Sequence, residues 1–183
     1  MPPGTLVGSR TDPGLSEEGR DEARAAARVL RGRAFGAVLC SPLRRARETA
    51  ELAVPDLVPR IEPRVQELDW GEITGLTFAQ VEERFPDVAA AWLRDGWPDP
   101  PGGEHPRALW RRTSAAVLDV HGAGIEGDVL IVCHGGVIRS LLGAARGLPL
   151  AQAWRVRTPH AALRVQRATP LAVRRWRGCV EVP

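Results

Sequence analysis

The sequence predicts an α/β domain of three layers, with helices on both faces of a mainly parallel sheet. Short apolar runs of strand character, GAVLC at 36–40 and VLIVC at 129–133, alternate with stretches of helical period, the pattern of βα units. Each run ends in a turn that can open a helix, Ser41-Pro42 after the first and His134-Gly135-Gly136 after the second. At 183 residues the chain suits one domain, 1–183, that buries roughly two-thirds of its unfolded surface without disulfides or metal.

In chain order, 16–31 reads as a helix. Ser16 caps it, Glu17 and Glu18 suit its electropositive end, and Ala23, Ala26, Ala27 and Leu30 form an apolar stripe. The strand 36–40 follows. A helix then runs to about Leu52, with Ser41 as cap and Pro42 at its first position. Residues 54–76 read as an extended, loop-rich crossing. Thr77-Phe78-Ala79-Gln80 is a capping box opening a helix toward Arg84, and a short helix covers 87–94. The Pro/Gly-rich stretch 96–106 is a loop. Residues 107–120 are helical, 129–133 form the clearest buried strand, and 137–146 form a helix stopped by Gly147. The stretches 161–167 and 171–177 read as two antiparallel C-terminal strands joined at Thr169-Pro170.

Composition narrows the function. The chain is 44% hydrophobic and 26% charged, ordinary for a globular protein. No apolar run approaches a membrane span, and MPPGTLVGSR does not read as a signal peptide, so a soluble cytoplasmic protein is expected, with no membrane partner. Every basic residue is Arg, and Lys, Asn and Tyr are absent, as a GC-rich bacterial genome would produce. The formal charge is +3 and the pI about 9.3. The arginines are dispersed and lack interleaved aromatics, which argues against nucleic acid; the positive surplus suits a small anionic substrate. Cys40, Cys133 and Cys179 lack zinc-ligand spacing and read as small buried side chains.

Three segments carry candidate chemistry. His134 directly follows VLIVC, and Gly135-Gly136 then lets a ligand approach the start of a helix, where free N–H groups favour an anion. Alone, such a histidine is more often structural. Arg45 sits in the first turn of the helix after Ser41-Pro42, where a guanidinium can grip a phosphate; alone, within the Arg44-Arg45-Arg47 cluster, it reads more readily as a solvated surface residue. Glu67 lies beside Trp70, where partial desolvation would suit a general acid, with Asp69 and Glu72 as competitors for that role.

Together these segments resemble the histidine phosphatase (phosphoglycerate mutase-like) superfamily. SPLRRARETA is similar to its S-P-L-x-R-A-x-x-T-A segment, QELDWGEITGLT to E-x-x-[FWY]-G-x-x-x-G-x-T, PPGGE to its P-x-G-E loop, VCHGGVIRSLLGAARGLP to its second-histidine segment, and GSRTDPGLSEEG to the stretch after its first motif. The resemblance implies phosphoryl transfer to a histidine followed by hydrolysis of the phosphohistidine. Carried over by position, it implies that Arg45 clamps the phosphate with the Gly135 N–H, that His134 donates to the phosphoryl oxygens, and that Glu67 protonates the leaving oxygen. Arg10 and Thr11 then fall in a loop bordering the site. The expected partner is a small phosphorylated metabolite, with a homodimer left open; no cofactor or metal is expected.

The family's nucleophile belongs to an R-H-G segment at the end of a first strand, which the resemblance places beside VLIVC. Only Met1-Pro2-Pro3 precede GTLVGSR, so that strand is expected to be missing, through a start site set too far downstream or a truncated copy. His105, His121 and His160 lack a matching context. A non-catalytic phosphate-binding member and a phosphoglycerate mutase are the alternatives, the mutase disfavoured by the short chain. An α/β-hydrolase would need a G-x-S-x-G elbow, which is absent.

Overall fold

The computed structural model describes residues 4–181; Met1–Pro3, invoked above, lie outside the described residues. Eight helices and three strands are described: α1 (Glu17–Leu30), β1 (Phe35–Cys40), α2 (Arg44–Ala53), β2 (Arg60–Ile61), α3 (Phe78–Arg84), α4 (Pro86–Asp95), α5 (Pro106–Gly122), β3 (Asp128–Val132), α6 (Gly135–Arg146), α7 (Leu150–Trp154) and α8 (Pro170–Glu181), with short 3₁₀ turns at Pro63–Val65 and Gly71–Ile73. The strands form one parallel sheet in the order β2-β1-β3.

Period-two alternation along the strands separates two faces. Val38, Leu130 and Val132 pack with Ala26 and Leu30 of α1 and Ala53 of α2. Ile131 and Cys133 turn the other way, into the larger core of Val65, Leu68, Trp70, Ile73, Val81, Leu109 and Val137. Helices thus cover both faces, as expected of βα units.

The local signals for several helices act as read. The Ser16 hydroxyl accepts from the Gly19 N–H at 3.1 Å and starts α1. Thr77 and Gln80 form the reciprocal capping box of α3. Gly147 ends α6 in the left-handed region, φ 66°, as a C-terminal glycine cap should.

Three expectations need correction. First, α2 begins at Arg44, not at Pro42. The Arg44 N–H is capped from a distance, by Asp12 Oδ1 at 2.6 Å, and Ser41 is drawn elsewhere. Second, the strand read as the clearest buried one is only partly buried: β3 pairs with β1 on one side, and no strand lies on its other side among the described residues.

Third, the antiparallel C-terminal strands do not form. Residues 161–167 carry no regular structure, and 171–177 lie within α8. The alternation L-A-V-R-R-W-R misled because tertiary packing selected the other period: Ala172, Val173 and Trp176 fall on one helical face and bury against Ala144 and Ala145 of α6 and Trp110, Val117 and Leu118 of α5. Thr169 Oγ1 accepts from the Ala172 N–H, and Pro170 suits the first turn. The Trp176 indole donates to the Leu141 carbonyl at 3.2 Å, and Arg175 donates to the Ala145 carbonyl at 3.0 Å, near the C-terminal end of α6.

Helix and strand place different residues beside Trp176. A strand would put Arg174 on its face; the helix puts Val173 there. Trp176→Ala and Val173→Ala are therefore expected to destabilise, Trp176→Ala by about 3–5 kcal/mol, while Arg174→Ala stays within about 0.5 kcal/mol. Urea unfolding of the three variants checks this; an Arg174 cost matching that of Val173 would contradict the helix.

Candidate active site

The site gathers where β1 and β3 end, at the carboxyl edge of the parallel sheet. Cys40 lies opposite Val132 in the register, and the Ser41 N–H extends the pairing to the Val132 carbonyl at 3.0 Å. Just beyond the strand ends, Ser41, the first residue after β1, meets His134, the second after β3: His134 Nε2 and Ser41 Oγ are 2.7 Å apart, both side chains buried. Ser41 Oγ also accepts from the Leu43 N–H at 3.3 Å.

His134 is poorly placed to carry charge. Burial, then the positive charges of Arg45 and Arg112, push its pKa down to about 3, so it is neutral at pH 7. A neutral imidazole has one N–H and one bare nitrogen. The Ser41 hydroxyl serves Nε2, and Nδ1 takes the complementary role.

Glu67 arrives from the crossing between β2 and α3. Its Oε1 accepts from its neighbour Leu68 N–H at 2.8 Å and its Oε2 from the Gly136 N–H at 3.1 Å. A Cβ on Gly136 would collide with the Glu67 carboxyl, so the second glycine after His134 is required by this approach. Burial raises the Glu67 pKa above the ordinary glutamate value, opposed by the two N–H donors and by the cations Arg45 and Arg139. Under this crossing Trp70 stacks on Trp92 with ring centroids 5.4 Å apart and meets the edge of Trp154 at 6.4 Å.

Arg45 projects from the first turn of α2 and is partly buried. Its guanidinium donates to the Thr11 carbonyl at 3.2 Å and to the Gly8 carbonyl at 3.1 Å, with Val7 O at 3.5 Å. Burial pulls its pKa below the ordinary arginine value, and the Glu67 and Asp12 carboxylates oppose that pull. Arg44 and Arg47 are exposed, and Arg44 is spent on Glu48 at 2.6 Å. Arg45 is thus the member of the cluster that turns inward.

Of the residues singled out in the sequence, Arg45, Glu67, His134 and Gly135 lie around the start of α6, and Thr11 joins them through its carbonyl. Arg10 stands one step away, paired with Asp69 at 2.7 Å and donating to the Gly102 carbonyl. Asp69 is spent on Arg10 and on the Gly71 N–H.

Sequence reasoning overlooked Ser41 as a partner of His134, and it overlooked Arg139. Arg139 lies four residues after Gly135, on the same face of α6; its Nη1 would sit 3.3 Å from a Cβ on Gly135, its Nε donates to the Val156 carbonyl at 3.1 Å, and its guanidinium lies over Trp154 at 5.6 Å. The helical spacing from His134-Gly135 was the available signal. Other nucleophiles are disfavoured: burial pushes the thiols of Cys40 and Cys133 up to about 11 and about 12, far from the thiolate a nucleophile needs. His105 caps α5, its Nδ1 accepting from the Arg107 N–H, and His160 is exposed beside Glu22.

Comparison with known proteins agrees with this arrangement. The family model described as histidine phosphatase superfamily (branch 1) matches residues 3–172. Glucosyl-3-phosphoglycerate phosphatase of Mycobacterium tuberculosis is 35% identical over 158 residues, spanning 81% of this chain and 71% of that protein. The 2,3-bisphosphoglycerate-dependent phosphoglycerate mutase of Methylobacterium radiotolerans is 35% identical over 155 residues, spanning 77% and 71%. The native structure of the mycobacterial glucosyl-3-phosphoglycerate phosphatase superposes with a TM-score of 0.74 at 33% identity, covering 84% of this chain and 77% of that one.

The neutral His134 makes stability pH-dependent. Unfolded, its pKa returns toward 6.5, so the unfolded state binds the proton better between about 3 and 6.5. Its contribution is whole above pH 6.5 and is lost on acidification, by up to about 1.4 kcal/mol per pH unit. Glu67, raised in the fold, acts in the opposite sense, but equally in a variant that keeps it. The melting temperature is therefore expected to fall between pH 6.5 and 5 more steeply in the natural protein than in His134→Gln, by about 3–6 °C per pH unit. Parallel calorimetric profiles would contradict the buried neutral histidine.

Proposed function

We propose that this chain, which belongs to the histidine phosphatase superfamily, serves phosphomonoester hydrolysis through a phosphohistidine, on a small phosphorylated metabolite. The observation that carries the reading is the convergence of the Glu67 carboxyl on the Gly136 N–H at the start of α6, beside a buried neutral His134 and within the field of Arg45.

In this reading the phosphoryl group sits at the N-terminal end of α6. The Gly135 N–H and the Arg45 guanidinium hold its oxygens, and the electropositive helix end adds to them. His134 donates to the same group. As the P–O bond breaks and a P–N bond forms, the protonated Glu67 gives its proton to the leaving oxygen; its burial favours the protonated form this needs. Water then attacks phosphorus, Glu67 takes back a proton, the P–N bond breaks and inorganic phosphate leaves.

The histidine that accepts the phosphoryl group belongs, by family pattern, to an Arg-His-Gly segment. The four histidines here follow Glu104, Val120, Cys133 and Pro159, so none stands in such a segment, and the test below asks whether in-frame upstream residues supply it. The relatives' names include a glucosyl-phosphoglycerate phosphatase and a phosphoglycerate mutase, which supports phosphorylated, carboxylate-bearing metabolites as the first substrates to try. A non-catalytic phosphate-binding role is the second reading. It is favoured by the four histidines of this sequence, none of which follows an arginine.

The test translates the in-frame residues upstream of Met1 together with this chain and assays an aryl phosphate and a phosphoglycerate. Turnover with an acid-labile phosphoenzyme is expected. Arg45→Ala should lower kcat/KM on the order of 10²-fold, about 3 kcal/mol, while Arg47→Ala, exposed and facing solvent, changes little. Phosphate binding without turnover in the extended protein would favour the second reading, and equal losses at Arg45 and Arg47 would show that the wrong arginine was assigned.

A further inference from the structure

A partly buried hub lies behind Glu67, formed by residues that play no part in the steps above. Arg112 of α5 is partly buried and carries five N–H donors. Its Nε and one Nη2 proton form a bidentate pair with the Glu104 carboxylate, at 2.7 and 2.8 Å. Its two Nη1 protons go to the Arg64 and Gln66 carbonyls, both at 2.7 Å, and the second Nη2 proton goes to the Glu67 carbonyl at 3.1 Å. All five donors are used.

Three of them end on the main chain at 64, 66 and 67, a stretch with almost no regular structure of its own. Glu104 is itself anchored: its N–H donates to the Asp69 carbonyl at 2.8 Å, and the Glu72 N–H donates to the Pro101 carbonyl at 2.9 Å, so the loop 101–104 lies against 69–72. The planar fork of arginine can satisfy a carboxylate and three carbonyls at once, and lysine cannot. A Coulombic role alone would have needed none of the three carbonyls.

We propose that Arg112, oriented by Glu104, is a positioning residue that holds the Glu67 main chain so that its carboxyl meets the Gly136 N–H at the start of α6. The proposal rests on the reading of Glu67 as proton donor for its functional meaning, but its structural content stands apart from turnover. The charged and titratable groups that face Glu67 are Arg45 from α2, Arg139 from α6 and the Cys133 thiol ahead of α6; Arg112 reaches only its backbone.

The experiment follows amide and carboxyl resonances of the 183-residue protein through a pH titration, with the Glu67 carboxyl assigned by Glu67→Gln. In the natural protein the Gly136 amide is expected to titrate together with the Glu67 carboxyl. In Arg112→Lys, and in Glu104→Gln should the first variant unfold, the Gly136 amide should stop following Glu67, and the Glu67 midpoint should move by about one pH unit. The control is Arg64→Ala, which breaks the pair with Glu62 at 2.8 Å and Asp119 at 2.6 Å on the same stretch of chain; it should lose stability and leave the Gly136 signal coupled to Glu67. An unchanged coupling in folded Arg112→Lys or Glu104→Gln, or the same loss in Arg64→Ala, would overturn the positioning role. Loss of turnover in the upstream-extended protein with the coupling intact would instead count against the phosphatase reading, so the two failures are told apart.

Discussion

Because β1 and β3 run parallel with Cys40 opposite Val132, the two turns that follow leave the sheet at the same edge and the same level. Ser41 and His134 therefore meet without any loop having to reach, and their 2.7 Å contact is a direct consequence of strand register. Everything else at the site is hung from this pair of turns. α2 starts three residues after Ser41 and points Arg45 inward; α6 starts one residue after His134 and presents Gly136 to Glu67. A one-residue slip would exchange the two faces of β3, moving Leu130 and Val132 out of the α1/α2 core and breaking the site and the packing together.

How much of this was legible in the sequence depends on whether the signal was local. The Ser16 cap, the Thr77–Gln80 box and Gly147 act within four residues of themselves, and each marks its helix where the structure has it. Ser41 carried the same local signal and was misread, because its hydroxyl had a better partner 93 residues away in His134; the cap of α2 came from Asp12 instead. In α8 the ambiguity was of period: Ala172, Val173 and Trp176 satisfy the helical repeat, Ala172, Arg174 and Trp176 the strand repeat, and only the apolar surfaces of α5 and α6 decide between them.

The candidate site was legible through spaced motifs, and its supports were not. His134, Glu67 and Arg45 stand at recognisable positions in their segments, while Arg139 and Arg112 look like any other residue of a chain whose every basic residue is Arg. What separates them is the company of their guanidinium donors, a property of the fold.

That company sorts the arginines by task. Arg112 has spent all five N–H groups on one carboxylate and three carbonyls, so it can offer nothing to an incoming anion and serves to fix backbone. Arg45 gives Nη protons to the Gly8 and Thr11 carbonyls, and Arg139 gives its Nε proton to Val156; among the described residues both keep donors that no carboxylate holds in an ion pair. Both are also buried enough for burial to lower their pKa; Glu67 opposes this in each, joined at Arg45 by Asp12. A buried cation without a bonded counter-ion is costly, and a dianionic phosphate at the start of α6 would relieve two such cations at once. The same charge would also lift the burden on His134, whose neutrality is enforced in part by Arg45. The site is thus electrostatically incomplete in the direction that an anion completes, and its saturated arginine lies behind the carboxylate while its unsaturated ones lie in front.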